Sequence, residues 1–244
     1  MKTLILIPSR LAATRLPGKP LLKIDGISII SHVFKKAESA NIGEVIVATE
    51  DQEIIDDVKS NGGNAILTNK NHKTGTDRIY EAFKKLDRKD IDFIMNIQGD
   101  EPEINVTDIK NLDDKMKSNV SKIGTLGAKI LSTKLYENKN VVKVKTKDSF
   151  EKNLFPYADN FMRVTNDREN IFHHLGIYSY EAETLSKFIS LNQSKNELKK
   201  SLEQLRALDN DININVGLAS SSPIGVDTKE DYLAIKKIME YKLK

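Results

Sequence analysis

Two kinds of apolar pattern alternate through the first hundred residues, and that alternation leaves the chain few folds to choose from. Residues 4–7 form a short apolar run stopped by Pro8, and 44–49, 64–68 and 91–97 are short runs that read as strands. Between them, residues 29–37, 51–59 and 79–86 repeat their apolar side chains at helical spacing, punctuated by Gly43 and Gly62-Gly63. Strand and helix in turn imply parallel strands joined by helical crossovers that cover both faces of a sheet. The expected fold is α/β, a Rossmann-like open and mostly parallel sheet. Ligands of such sheets sit at the C-terminal ends of the strands. The 10–19 loop, the 74–78 loop and the 98–102 turn all follow strands, so they should meet in one crevice.

The second half is more mixed. Segments 122–130, 141–146, 171–180 and 212–219 read as strands, while 148–169 has no clear period. Helices are expected over 107–117, with Thr107 as N-cap, and over 182–189, 195–208 and 228–241. The 195–208 helix carries Leu198, Leu202, Leu205 and Leu208 as its core stripe, which leaves Glu203, Gln204 and Arg206 on a solvated face. With no repeat and no low-complexity linker, a single domain over 1–244 is expected, its second half smaller and mixed α/β.

Composition narrows the function. The chain has 38 Lys+Arg against 35 Asp+Glu, a net charge of +3, too balanced for a general nucleic-acid binder. Any anion site must be local. Cysteine is absent, which removes disulfides, thiolate metal sites and a cysteine nucleophile, and fits a reducing cytoplasm. The four-residue apolar run before Pro8 is neither a signal nor a membrane anchor, so no membrane insertion is expected.

The local anion site is legible in the first loop. Arg10, Arg15 and Lys19 are cations, Ser9 and Thr14 are hydroxyl donors, and Pro17-Gly18 turns the chain before the lysine. Arginine offers phosphate a planar fork and lysine a compact point charge, a set suited to a triphosphate. A surface loop that is merely basic is the competing explanation. Asp100, in Gln98-Gly-Asp-Glu-Pro102, is displayed at the end of a strand where Gly99 permits close backbone approach. A carboxylate facing a cationic loop suits Mg²⁺ on a nucleotide phosphate, whereas a plain acidic turn would serve solubility. A second carboxylate, Asp227, stands just before a helix that Thr228 and Asp231 already start by themselves. His173 and His174 are strand neighbours pointing to opposite faces, so they cannot chelate one ion.

Several pieces, in order, resemble the 3-deoxy-manno-octulosonate cytidylyltransferase (CMP-Kdo synthetase) family over essentially the whole chain. They are Ile7-Pro-Ser-Arg-Leu-Ala-Ala-Thr-Arg-Leu-Pro-Gly-Lys-Pro-Leu, Thr74-Gly-Thr-Asp-Arg78 and Asn96-Ile-Gln-Gly-Asp-Glu-Pro102. Asn140-Val-Val-Lys-Val144, His174-Leu-Gly-Ile-Tyr178, Leu202-Glu-Gln-Leu-Arg-Ala-Leu208 and Gly225-Val-Asp-Thr228 complete the set. The resemblance implies a homodimeric, cytoplasmic enzyme of lipopolysaccharide biosynthesis that couples CTP to an acidic eight-carbon sugar. It implies that Ser9, Arg10, Thr14, Arg15, Lys19 and Arg78 serve the nucleotide. Asp100 and Asp227 would hold Mg²⁺, with Lys19 beside the reacting phosphate. Gln98, His174, Tyr178, Glu203 and Gln204 would line the sugar site.

One departure stands out. The family's Phe-Ser-Arg-x-x-Ile-Pro segment corresponds to Phe150-Glu-Lys-Asn-Leu-Phe-Pro156, which puts Lys152 in the arginine's place and loses the bidentate fork. On that ground a related acidic sugar, 8-amino-Kdo or a sialic-acid-like one, is the alternative substrate. A non-catalytic nucleotide-binding module is the alternative from another class, although it would not require Asp100, Asp227 and Lys19 together.

Overall fold

The structure is a computed structural model that describes residues 1–12, 15–223 and 225–242. In chain order the first elements are β1 (Thr3–Ser9), β2 (Lys23–Ile24), β3 (Ile27–Ser28), α1 (Ile29–Ser39), β4 (Gly43–Thr49) and α2 (Gln52–Ser60). Next come β5 (Ala65–Leu67), α3 (Gly75–Leu86), β6 (Phe93–Asn96), α4 (Val106–Asn119), β7 (Ile123–Ala128) and α5 (Lys134–Glu137). The remainder is β8 (Lys143–Thr146), β9 (Ala158–Met162), β10 (Ile171–Glu181), α6 (Ala182–Ser190), α7 (Lys195–Lys200), α8 (Leu205–Leu208), β11 (Ile214–Leu218) and α9 (Lys229–Lys242). Among the described residues no helix is long and apolar enough to cross a membrane.

The chain divides into two compact units. The first holds Lys2–Ile91, Met95–Ile109 and Pro223–Lys244, and the second holds Asp92–Ile94 and Lys110–Ser222.

In the first unit, β4 pairs in parallel with β1 along its whole length, from Thr3↔Gly43 to Ser9↔Thr49, and β5 joins β4 in parallel. Leu4, Ile5, Leu6 and Ile7 are all fully buried, as a strand covered on both faces requires. Helix α1 is capped by Ser28, whose hydroxyl accepts from the Ser31 N–H, and it buries Ile29, Ile30, Val33, Phe34 and Ala37. Helix α3 starts earlier than its apolar period suggests. Thr74 and Asp77 form a reciprocal capping box, so 75–78 is the first helical turn rather than a loop. Helix α4 also differs at its start: Asn105 Oδ1 accepts the Thr107 N–H at 2.8 Å, so Asn105 performs the capping expected of Thr107. The α9 start is the expected one, with Asp231 N–H donating to Thr228 Oγ1 at 3.1 Å and Thr228 N–H to Asp231 Oδ2 at 2.9 Å. Ile235 and Met239 of α9 pack with Ile24, Ile29 and Val226 in a cluster that also takes in Leu16.

The second unit is mixed, as expected. Strand β7 pairs in parallel with β11 and antiparallel with β10, which pairs antiparallel with β8, and β8 with β9. Strand β9 lies within the segment that showed no period. Strand β10 carries a bulge: Leu175 faces Leu126, but Tyr178 faces Thr125. Three steps on one strand match one step on the other, so the residues between are pushed out of register.

The largest correction concerns 195–208. The single amphipathic helix is two short ones, α7 and α8, separated at Ser201, whose φ of 51° is left-handed. Leu198 is exposed, while Arg206, expected in solvent, is only 3% exposed. A buried carboxylate explains the inversion, because Glu197 takes Arg206 Nε at 2.9 Å and Nη2 at 2.5 Å.

Candidate active site

A cleft of about 400 Å³ opens in the first unit. One side is the loop after β1. Leu11 N–H donates to Asp51 Oδ2 at 2.7 Å, and Gly18 N–H closes the loop on Leu11 O at 3.1 Å. Gly18 has φ 69°, a conformation that disfavours any side chain, and it caps the one-turn helix that begins with Lys19. Leu16, anchored in the α9 cluster, holds the loop from the other end.

The floor is the turn after β6. A Cβ on Gly99 would lie 2.9 Å from Pro8 O and 3.1 Å from Ile30 Cδ1, so the turn can approach β1 only with glycine there. This bears out the close backbone approach expected at Gly99. Val226 N–H donates to Asp100 O at 2.9 Å, and a Cβ on Gly225 would be 3.7 Å from Glu101 Cγ. That hydrogen bond, with Val226 buried in the α9 cluster, brings Asp227 beside Asp100.

The two carboxylates share one cation. Lys19 Nζ lies 2.7 Å from Asp100 Oδ2 and 3.6 Å from Asp227 Oδ1, while Arg15 Nη2 is 3.0 Å from Asp227 Oδ2. Ser9 and Arg10 line the same cleft. Ser9 is 7% exposed and its hydroxyl has no hydrogen-bond partner among the described residues, which suits it to a ligand. Thr14 lies outside the described residues.

Arg78 and Gln98 also line the cleft. Arg78 is buried and committed: its guanidinium pairs with Glu50 and donates to Thr68 Oγ1 at 2.6 Å and Asn69 O at 3.3 Å. Thr74 and Gly75 of the expected 74–78 segment line it too, joined by His72 and Lys73, which sequence reasoning did not single out. Gly75 sits where a Cβ would come within 3.1 Å of Pro8 Cγ. His72 contacts Glu81, and burial pushes the Glu81 carboxyl up. Lys85, the Asn69 N–H and His72 more than reverse that and hold it at about 2. The polar run beginning at Asn71 was the available signal for these residues.

Among the described residues no three His, Asp or Glu side chains gather as a complete metal cage. The donor set nevertheless fits Mg²⁺. Two carboxylates already face one cationic centre, and Mg²⁺ takes one or two carboxylates together with waters and phosphate oxygens.

The remaining candidates belong to the second unit. His174, Tyr178, Phe161 and Thr125 form one cluster there. The His174 ring is 5.1 Å from Phe161 and 5.4 Å from Tyr178 between centroids. Residues four apart on a regular strand would be separated by about 13 Å, so the β10 bulge is what gathers them. Thr125 Oγ1 donates to Ile177 O at 2.7 Å, so its oxygen accepts from His174 Nε2 at 3.0 Å. Burial, and then the neighbouring His173, push the His174 pKa down to about 3, which leaves the ring neutral. His173 instead places Nδ1 2.6 Å from Ser222 Oγ. Burial raises the Tyr178 pKa well above its ordinary value, helped by Tyr180 and Glu203, so the phenol keeps its proton. Glu203 and Gln204 are partly buried in the connection between α7 and α8, not on an open helix face.

Lys152 is exposed in a turn, where its N–H donates to Ser149 O. A Phe-x-Arg does occur at the end of β9, as Phe161-Met162-Arg163, with the arginine just past the strand. The Arg163 guanidinium donates to Lys139 O, Lys200 O and Ser201 O at 3.1–3.2 Å, two residues from Glu203. The apolar period of β9 is too short to have flagged this arginine.

A parallel α/β unit that gathers cations and paired carboxylates beyond its strand ends has the architecture of a nucleotidyltransferase. Residues 4–214 match the family model described as cytidylyltransferase, and this chain belongs to that family. The chain is similar to the 3-deoxy-manno-octulosonate cytidylyltransferase of Rhodopseudomonas palustris strain BisB18, with 41% identity over 98% of both chains. A protein of the same description from Nitrobacter winogradskyi strain Nb-255 is also 41% identical, over 98% of this chain and 94% of its own. Among solved structures, a CMP:2-keto-3-deoxy-manno-octonic acid synthetase complexed with CTP superposes with a TM-score of 0.89. It is 33% identical, and the match covers 99% of this chain and 100% of that one.

Proposed function

We propose that this chain is a 3-deoxy-manno-octulosonate cytidylyltransferase, which couples CTP to Kdo and releases pyrophosphate, for lipopolysaccharide biosynthesis. The convergence of Asp100 and Asp227 on Lys19, inside a cleft lined by Ser9, Arg10 and Arg15, is the observation that carries the reading. In the reaction the anomeric hydroxyl oxygen forms a bond to the α-phosphorus and loses its proton. The bond from that phosphorus to the pyrophosphate oxygen breaks.

Arg10, Arg15 and Ser9, with Thr14, hold and align the triphosphate, and Lys19 offsets charge on the reacting phosphate. Arg78 acts one step removed, by fixing the first turn of α3 at the nucleotide cleft. Asp100 and Asp227 would hold Mg²⁺, which when bound supplies Lewis-acid polarisation of the phosphate oxygens. On the sugar, Tyr178 donates as a protonated phenol, Glu203 accepts from hydroxyls, and Gln98, Gln204 and the neutral His174 complete the contacts. The Arg163 guanidinium, which already donates to three backbone carbonyls beside the turn carrying Glu203, supplies a fixed positive charge for the sugar carboxylate, the role first expected at position 152.

Pyrophosphate release from CTP with a panel of 2-keto sugar acids tests the substrate. Kdo should be turned over in preference to 8-amino-Kdo and sialic acid; turnover of another sugar without Kdo would overturn the assignment. The reading includes a homodimer, to be checked by sedimentation, and a cytoplasmic setting, which a chain without cysteine suits.

A further inference from the structure

We propose that Arg206 is a positioning residue for sugar binding: it fixes the Glu203 carboxylate and thereby sets the affinity for the sugar. This rests on the reading above that Glu203 touches the sugar.

Helices α7 and α8 have six and four residues, too few to hold their own geometry in water. The connection carrying Glu203 and Gln204 must therefore be fixed from outside. Glu197 starts that work. It forms a capping box with Ser194, with Ser194 N–H donating to Glu197 Oε2 at 3.0 Å and Glu197 N–H to Ser194 Oγ at 3.1 Å. The same carboxylate receives both arms of the Arg206 fork, at 2.9 and 2.5 Å. The Arg206 guanidinium lies over the Phe188 ring, 4.8 Å from its centroid, so it has little freedom to turn. Its Nη2 is then 3.6 Å from Glu203 Oε1, and its backbone N–H donates to Glu203 O at 3.0 Å.

The chemistry needs such a device. Glu203 is partly buried and close enough to Tyr178 to act on its phenol, so its side chain needs a partner within the protein to fix its direction. A guanidinium held 3.6 Å away supplies one and orients the carboxylate toward a sugar hydroxyl. A buried ion pair serving only to join two helices can be replaced by apolar residues of similar volume with little loss of stability. Positioning, unlike joining, would not survive that replacement.

The test uses the full chain, with sugar KM, CTP KM, kcat and Tm measured for each variant. The paired replacement Glu197→Gln with Arg206→Met keeps the capping box with Ser194 and should fold with nearly the parent Tm. Its sugar KM should rise about fivefold, the scale of one partly exposed ion pair, with the CTP KM within about twofold of the parent. Arg206→Lys keeps the charge without the fork and should give an intermediate rise. An unchanged sugar KM in the paired variant, or a parallel rise in the CTP KM, would overturn the proposal. Glu203→Gln separates the two levels. If that variant leaves sugar KM untouched, the reading of Glu203 fails and this inference falls with it. If it raises sugar KM while the paired variant does not, only the inference falls.

Discussion

The two functional clusters are built on opposite principles. In the first unit, charged groups stand at strand ends and remain partly wet: the Arg15 and Asp227 side chains are 59% and 47% exposed. Their formal charges act directly, and turns and caps hold them in place. In the second unit, burial itself does the chemistry. It keeps His174 neutral and Tyr178 protonated, and the Glu197–Arg206 side chains are only 4–5% exposed. Charges that must exchange partners with a polyanionic ligand cannot be deeply desolvated, because leaving a buried partner is costly. Groups that only donate or accept hydrogen bonds gain from a dry setting.

The sharpest way to break this comparison is Asp100→Asn. If charge is what the first cluster supplies, kcat should fall by about 10²–10³-fold, as when a transition-state charge partner is lost. CTP binding, followed by calorimetry, should weaken far less; undiminished turnover would remove Asp100 from the mechanism. The exception within the first unit is the buried Arg78–Glu50 pair, 3% and 12% exposed at the side chains. Glu50→Leu should lower unfolding free energy by about 3 kcal/mol, read from urea denaturation, because it strands a buried guanidinium.

In the second unit, Arg163→Leu should raise sugar KM about tenfold through loss of charge-assisted hydrogen bonds, while Lys152→Ala should leave it unchanged. The reverse result would restore the position first expected from sequence. The last prediction isolates burial. His174 has an ordinary pKa of 6.5 and a folded value of about 3, so between these pH values the unfolded chain binds a proton that the folded chain does not. Stability is therefore fully present above 6.5 and declines as pH falls toward 3. His174→Asn should flatten that part of the pH–stability curve, measured by urea unfolding against the parent. Parallel curves would show that burial does not neutralise this histidine.

How legible each cluster was follows from the same contrast. Arg10, Arg15, Lys19 and Asp100 could be read because loops after predicted strands have few places to go. Asp227 could be suspected because Thr228 and Asp231 already supplied its helix start. Arg78 was visible, but its buried partner Glu50 was not, since a pairing of side chains 28 residues apart leaves no periodic trace. In the second unit the 195–208 pattern misled. Leucines at helical spacing outweighed a single serine, and no local rule announces that Ser201 turns left-handed or that Arg206 folds inward onto Glu197. Arg163, assigned to the sugar only by the proposal above, was not singled out because a short strand in a region without period hides its own boundaries.

The sequence alone determined the alternation of strand and helix, the cationic loop after the first strand, the two carboxylates and the reaction class they suit. These depend on local composition and on periods that repeat within a few residues. Only the tertiary structure decided that Val226 ties Asp227 to Asp100, that a bulge gathers His174 and Tyr178, and that a buried ion pair holds the turn carrying Glu203. Each of these joins residues distant along the chain, or depends on how deeply a group is withdrawn from water. Neither is set by neighbours in sequence.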